Sequence, residues 1–133
     1  MKRILVAVLV ALAAPAAADD YLMLSISAEA KAPGCILRAY VMNATPHVLD
    51  DLSTDISIHD GTGSTLGSFV ARLRYIDPFQ TGYSEPLAIA QCGRVNILRL
   101  RRVMSCRLDG VTTGDCERAI NIDAMTGDFK LTR

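Results

Sequence analysis

Apolar and polar residues alternate one for one through most of this chain. From Asp20 to Ala30, Leu22, Leu24, Ile26 and Ala28 are interleaved with Tyr21, Met23, Ser25 and Ser27. A period of two sends successive side chains to opposite faces of a strand, so this stretch reads as a strand with one face on a core. Pro33-Gly34 ends it with a turn signal. A second strand, Cys35 to Asn43, carries Cys35, Leu37, Ala39 and Val41 on one face and Ile36, Arg38, Tyr40 and Met42 on a mixed one. A polar connection with Thr45-Pro46 leads to Asp51. From Leu52 to His59 the alternation returns. Leu52, Thr54, Ile56 and Ile58 point to the core, and Ser53, Asp55, Ser57 and His59 point to water. Asp60-Gly61-Thr62-Gly63 is a hairpin turn.

The second half is less regular. Leu66 to Asp77 predicts a strand with Phe69, Ala71, Leu73 and Tyr75 inward and Arg72 and Arg74 outward. Pro78 to Pro86 reads as a loop, Leu87 to Cys92 as a short strand broken by Gly93, and Arg94 to Leu108 as the longest strand of this half. The alternation slips at Ile97-Leu98, which signals a bulge or a strand covered on both faces. Glu117 to Ile122 predicts a last short strand with Ile120 and Ile122 inward, and residues 123–133 show no clear pattern. No segment has a helical period. Short strands separated by turn signals predict an all-β fold, an antiparallel immunoglobulin-like β-sandwich of about seven strands. The chain has no tryptophan, so it lacks the buried strand-C residue of antibody domains.

The first residues obey a different rule. Lys2 and Arg3 precede an apolar run from Ile4 to Ala14, Pro15 breaks the run, and Ala16-Ala17-Ala18 offers a small-residue cleavage site. These are the parts of a cleaved signal peptide over residues 1–18. The run is shorter than the roughly 20 residues a membrane span needs, so no span is expected once the leader is removed. The expected mature chain, residues 19–133, suits a single β-sandwich domain in a periplasmic or extracellular location. Its charge is close to balanced, at about −2. Nothing in that balance marks a nucleic-acid binder, which usually carries a basic face.

Export changes how the four cysteines read. Cys35, Cys92, Cys106 and Cys116 are an even set in an oxidising compartment, so two disulfides are expected. Three connectivities are open. The turn-rich loop with Asp109-Gly110 and Thr113-Gly114 favours Cys106–Cys116, which leaves Cys35–Cys92 as a long link able to join the two sheets. No C-x-x-C spacing occurs, which argues against a zinc site or a redox pair.

The stretch from Asn43 to Gly63 resembles small bacterial immunoglobulin-like domains of the FxLYD type. In that pattern an Asn ends one strand, and after a polar turn the next closes on apolar-x-apolar-Tyr-Asp-x-x-Gly. Asn43 matches the strand-ending residue; Ile56, Ile58, His59 and Asp60 stand at the Phe, Leu, Tyr and Asp places, and Gly63 at the Gly. Neither aromatic is present, and the cysteines lie outside the pattern. The resemblance implies an extracytoplasmic immunoglobulin-like module and names no activity.

Candidate chemistry is sparse. There is no G-x-S-x-G and no glycine-rich phosphate loop, so an enzyme is not expected and no cofactor is implied. The two histidines offer a weak metal set of His59, Asp55 and His47. The scattered methionines suit core filling better than copper. The most distinctive polar feature is the series Arg94, Arg99, Arg101, Arg102 and Arg107. Arg99 and Arg101 share a strand face, and with Arg102 they form a candidate docking surface for an acidic partner. The expected function is therefore a non-catalytic exported module that binds another envelope or periplasmic protein as an accessory subunit. The alternatives are a periplasmic metal or small-ligand carrier and a secreted enzyme inhibitor displaying the Asp77–Pro86 loop.

Overall fold

A computed structural model describes residues 20–112, 114–123, 125–126 and 129–133, and the leader expected over residues 1–18 lies outside them. The described residues are mostly β-structure in two sheets. The first sheet is built on β1 (Tyr21–Lys31) and β2 (Gly34–Ala44), antiparallel along their whole length. Ala32-Pro33, with a cis peptide bond, turns the chain between them. The second sheet is centred on β3 (Leu49–His59), which lies between β4 (Thr65–Ile76) and the later strand β7 (Ile97–Leu108). The short strands β5 (Thr81–Tyr83) and β6 (Leu87–Ile89) return to the first sheet and pair with β2. After β7, β8 (Val111–Thr112) folds back on it, and a single helical turn α1 (Gly114–Arg118) crosses to β9 (Ile120–Ile122) beside β1. Finally β10 (Met125–Thr126) and β11 (Phe129–Thr132) pair with each other, and β11 joins β7.

The alternation read from the sequence explains the core. Leu22, Leu24, Leu37 and Val41 of the first sheet form one buried cluster with Leu52, Ile56, Leu73 and Leu98 of the second. Burying each such side chain contributes about 1.5–3 kcal/mol. The two inner faces are therefore what hold the sheets together.

Several expectations change once the strands are placed. The described residues form eleven strands rather than about seven, because turns and tail supply pieces of two to four residues. Two pairs, β1–β9 and β7–β11, are parallel, so the pairing is not wholly antiparallel. Ala28 is exposed, since β1 runs on past the edge of the core. Tyr75 is 74% exposed instead of inward. Its left-handed backbone, φ 54°, flips the alternation and sends Ile76 into the core. Glu117 lies in α1, not in a strand. The expected loop at Asp77–Pro86 does not stand free. Its centre is β5, and Ser84 clamps it to β2: Ser84 N donates to the Ala39 carbonyl at 2.9 Å and Ala39 N to Ser84 Oγ at 3.0 Å.

One end of the molecule is organised by Asn43, which is completely buried. Its side-chain amide donates to the carbonyls of His47 (2.7 Å), Ile76 (3.0 Å) and Asp77 (3.3 Å). Its Oδ1 accepts from Thr45 N (3.1 Å) and Thr45 Oγ1 (2.7 Å). Its backbone is also engaged, N to Gln80 O and O to Phe79 N. One side chain thus joins the end of β2 in one sheet to the end of β4 in the other.

The disulfides pair Cys35 with Cys92 and Cys106 with Cys116, at Cα separations of 5.5 and 5.7 Å. Cys35 lies on β2 of the first sheet and Cys92 opens the 3-10 turn Cys92–Arg94, through which the chain passes from β6 to β7 of the second. The short link ties β7 of the second sheet to α1, which feeds β9 of the first. Two disulfides indicate an oxidising, exported environment. Among the described residues no helix is long and apolar enough to cross a membrane.

Two mutations test this account. Asn43→Ala should destabilise the fold by about 3 kcal/mol, because it strands buried carbonyls at two strand ends, and urea unfolding measures it. Replacing both Cys106 and Cys116 by Ala should cost on the order of 3 kcal/mol, while losing Cys35–Cys92 should cost about 1.5 kcal/mol more because its closed loop is longer.

Candidate functional site

The outer face of the second sheet gathers most of the polar chemistry. Residues of β3 that point away from the core are Asp51, Ser53, Asp55, Ser57 and His59. They are less open to water than a half-exposed strand implies, since Ser53 is 7% and Ser57 4% exposed. Being central, β3 is flanked on both sides by longer side chains. Cross-strand register places Arg74 and Arg107 opposite Asp51, Arg72 and Ser105 opposite Ser53, Val70 and Arg102 opposite Asp55, and Ser68 and Arg99 opposite Ser57. The arginines are exposed while the residues between them are sheltered, as expected of long side chains whose stems lie along a surface with their heads in water.

Two bulges in β7 create this density of charge. Opposite β3 the register shifts between Ser53 and Thr54 and again between Asp55 and Ile56, which leaves Met104 and Arg101 as the extra residues. A bulge puts two consecutive residues on one side of a strand. Arg101 and Arg102 therefore both face outward, as do Met104 and Ser105. The Ile97-Leu98 step, where the sequence suggests a bulge, is regular in the ladder. Lys130 of β11, opposite Ile97, extends the face, with Thr132 beside Arg99.

The two aspartates hold the arginines. Asp51 Oδ1 lies 3.4 Å from Arg72 Nε and 3.8 Å from Arg74 Nε, and Ser105 Oγ donates to its Oδ2 at 2.8 Å. Asp55 Oδ2 lies 3.9 Å from Arg101 Nη1 and 3.7 Å from Arg102 Nε. Burial by itself would raise the Asp51 pKa, but the Ser105 hydroxyl and the Arg72 and Arg74 guanidinium groups outweigh it and hold the carboxyl below its usual range. Arg99, Arg107 and Lys130 have no ion-pair partner among the described residues.

Of the candidate docking residues, Arg99, Arg101 and Arg102 all stand on this face; Arg94 does not. Arg94 sits in a 3-10 turn at Cys92–Arg94, donating to Gln91 Oε1 at 2.8 Å and lying 3.5 Å from Asp60 Oδ2. The weak metal set is not brought together. His59 and Asp55 are four residues apart on one extended strand, a separation of about 13 Å, and His47 lies at the opposite end of β3, 2.6 Å from Asp109 Oδ2. No group of three or more metal-ligating side chains occurs among the described residues.

Sequence reading missed two features. The first is a contact between Ser57 Oγ and His59 Nε2 at 2.7 Å, with His59 Nδ1 3.3 Å from the Gly63 carbonyl. Two residues apart on one strand face, Ser and His meet by the period alone. The near-complete burial of Ser57 makes the contact part of the sheet surface and not a presented nucleophile. The second is that Arg72, Arg74 and Lys130 belong to the same surface as the β7 arginines. Only the strand order reveals that, because β4 lies across β3 from β7, β11 joins β7 on its other side, and intervening elements separate all three in sequence.

The Asp60–Gly63 turn closes this face. Asp60 Oδ1 accepts from Thr62 N (2.9 Å), Thr62 Oγ1 (2.7 Å) and Ser64 N (3.0 Å), and Gly63 takes φ 86°. These bonds, led by the Thr62 hydroxyl, keep the Asp60 carboxyl below its usual range.

The depressed Asp51 pKa makes stability depend on pH with a defined sign. Its contribution is present above the unfolded value of 3.8 and is lost as pH falls through the lower folded value. Asp51→Asn should therefore cost about 1–3 kcal/mol near neutral pH. As the pH falls through that folded value, the urea midpoints of variant and parent should converge. In comparisons with known proteins, no family model matches the chain, and neither does any curated protein or solved structure.

Proposed function

We propose that this chain is a non-catalytic exported module, an immunoglobulin-like sandwich that docks on another envelope protein as an accessory subunit. The observation that carries the proposal is the outer face of the second sheet. A chain with equal numbers of acidic and basic residues concentrates six arginines on β4 and β7, to either side of β3, whose Asp51 and Asp55 stand between them. Arginine is the side chain suited to carboxylate recognition, because its planar fork pairs two oxygens at once. The scaffold beneath is fit for display: the inter-sheet core holds the strands, and the disulfides tie β2 and β7 to the connecting segments that carry Cys92 and Cys116.

The resemblance to FxLYD-type domains belongs to the same proposal. It is supported by Asn43 at the end of β2, where its buried amide gives a strand-ending Asn a physical task. It is supported too by the Asp60–Gly63 turn, where an Asp caps the turn and a Gly supplies the positive φ.

Crosslinking and co-purification of the mature protein from its own cell envelope test the reading. One reproducible protein partner is expected, and the Arg99→Glu, Arg101→Glu double variant should lose at least tenfold of its recovery while melting at the parent temperature. Undiminished recovery with that variant would remove the face from the proposal.

A further inference from the structure

The same face carries enough detail to name the chemistry of what docks there. We infer that its ligand is an acidic polypeptide segment, whose carboxylates seat against the arginine rows flanking β3 and whose apolar side chains rest on Val70 and Met104. This rests on the docking reading above and specifies the partner.

Three observations lead to it. First, Arg72, Arg74, Arg101 and Arg102 are positioned before any ligand arrives. Asp51, 8% exposed as a residue, and Asp55, its side chain 15% exposed, each lie within 4 Å of two guanidinium groups. A side chain already held in place loses less conformational freedom on binding, so more of the contact energy appears as affinity. The arrangement also shows which anion it accommodates, since the groups already seated between the arginines are carboxylates.

Second, the face is not purely ionic. Val70, 54% exposed, lies across from Asp55 on β4, and Met104, 51% exposed, is pushed outward by its bulge in β7. Apolar side chains on both flanks of an arginine field match protein interfaces, where Arg and Met are enriched. A sugar-phosphate polymer would draw little from either. Third, Arg99, Arg107 and Lys130 have no ion-pair partner among the described residues, so positive charge remains to be neutralised. The mature chain as a whole is slightly acidic, so general attraction does not explain polyanion binding if it occurs; the ligand must find this face.

The test is titration of the disulfide-bonded mature protein with fluorescent poly-L-glutamate, followed by anisotropy at rising salt. Binding is expected, weakening steeply with salt. The Arg99→Glu, Arg102→Glu double variant should weaken it at least tenfold. Lys31→Glu, at the far end of β1 in the other sheet, should change it less than twofold. Asp55→Asn separates positioning from net charge. It makes the face more positive, so tighter binding would show that charge alone governs and would overturn the positioning argument. Weaker binding, with the melting temperature retained, supports it. Absence of poly-L-glutamate binding, equal loss in Lys31→Glu, or tighter binding to polyphosphate or to phosphatidylglycerol vesicles would each overturn the acidic-polypeptide assignment. If that assignment fails while an envelope protein still crosslinks through the arginine face, docking stands and only the chemistry of the partner is wrong.

Discussion

The arrangement of both sheets at one end of the molecule depends on one buried amide. Asn43 is the point where β2 stops, the chain turns toward β3, and β4 finishes its run. Backbone carbonyls at strand ends have lost their ladder partners, and burying them unpaired costs about 1–3 kcal/mol each. A side chain with two donors and an acceptor, itself at zero exposure, meets several of these needs at once. No apolar residue could stand there, and a carboxylate would face carbonyls with nothing to donate. The left-handed Tyr75 follows from the same constraint, since it turns Ile76 inward and leaves the Ile76 carbonyl beside Asn43.

On that frame the outer face of the second sheet is a consequence of strand order. Placing β3 between β4 and β7 brings arginines from positions 72–74 and 99–107 to either side of a strand whose outward residues are short. Short serines and aspartates between long arginines form a sheltered floor. The aspartates are partly removed from water there, and their ion pairs fix the guanidinium groups above them. Exposed ion pairs of this kind contribute little to stability, about 0–1 kcal/mol each. Their larger effect is geometric, because they hold charged groups in one arrangement.

Each disulfide pins a segment through which the chain passes from one sheet to the other. The link spanning 57 residues joins β2 to the 3-10 turn between β6 and β7. The link spanning 10 residues joins β7 to α1, which leads to β9. Separation along the chain sets how much entropy a cross-link removes from the unfolded state. It says nothing about which parts of the folded state the link braces.

The sequence by itself determined the β character, the inward residues of β1, β2 and most of β3, the hairpin at Asp60–Gly63 and the even cysteine set. All of these follow from local rules: a period of two, turn chemistry and residue type. It also singled out Arg99, Arg101 and Arg102, which the fold places on one outer face. Tertiary structure decided the rest. The bulges at Arg101 and Met104 arise from mismatch between two paired strands, which neither strand shows alone. The parallel additions of β9 and β11 depend on distant strands already being in place, so the tail had no periodic signal to read. The fate of Tyr75 was set by the corner it turns, not by its hydrophobicity. The arginine face as a whole is a matter of neighbours across the sheet. Pattern along a chain reports which side a residue takes, and only pairing between strands reports whom it stands beside.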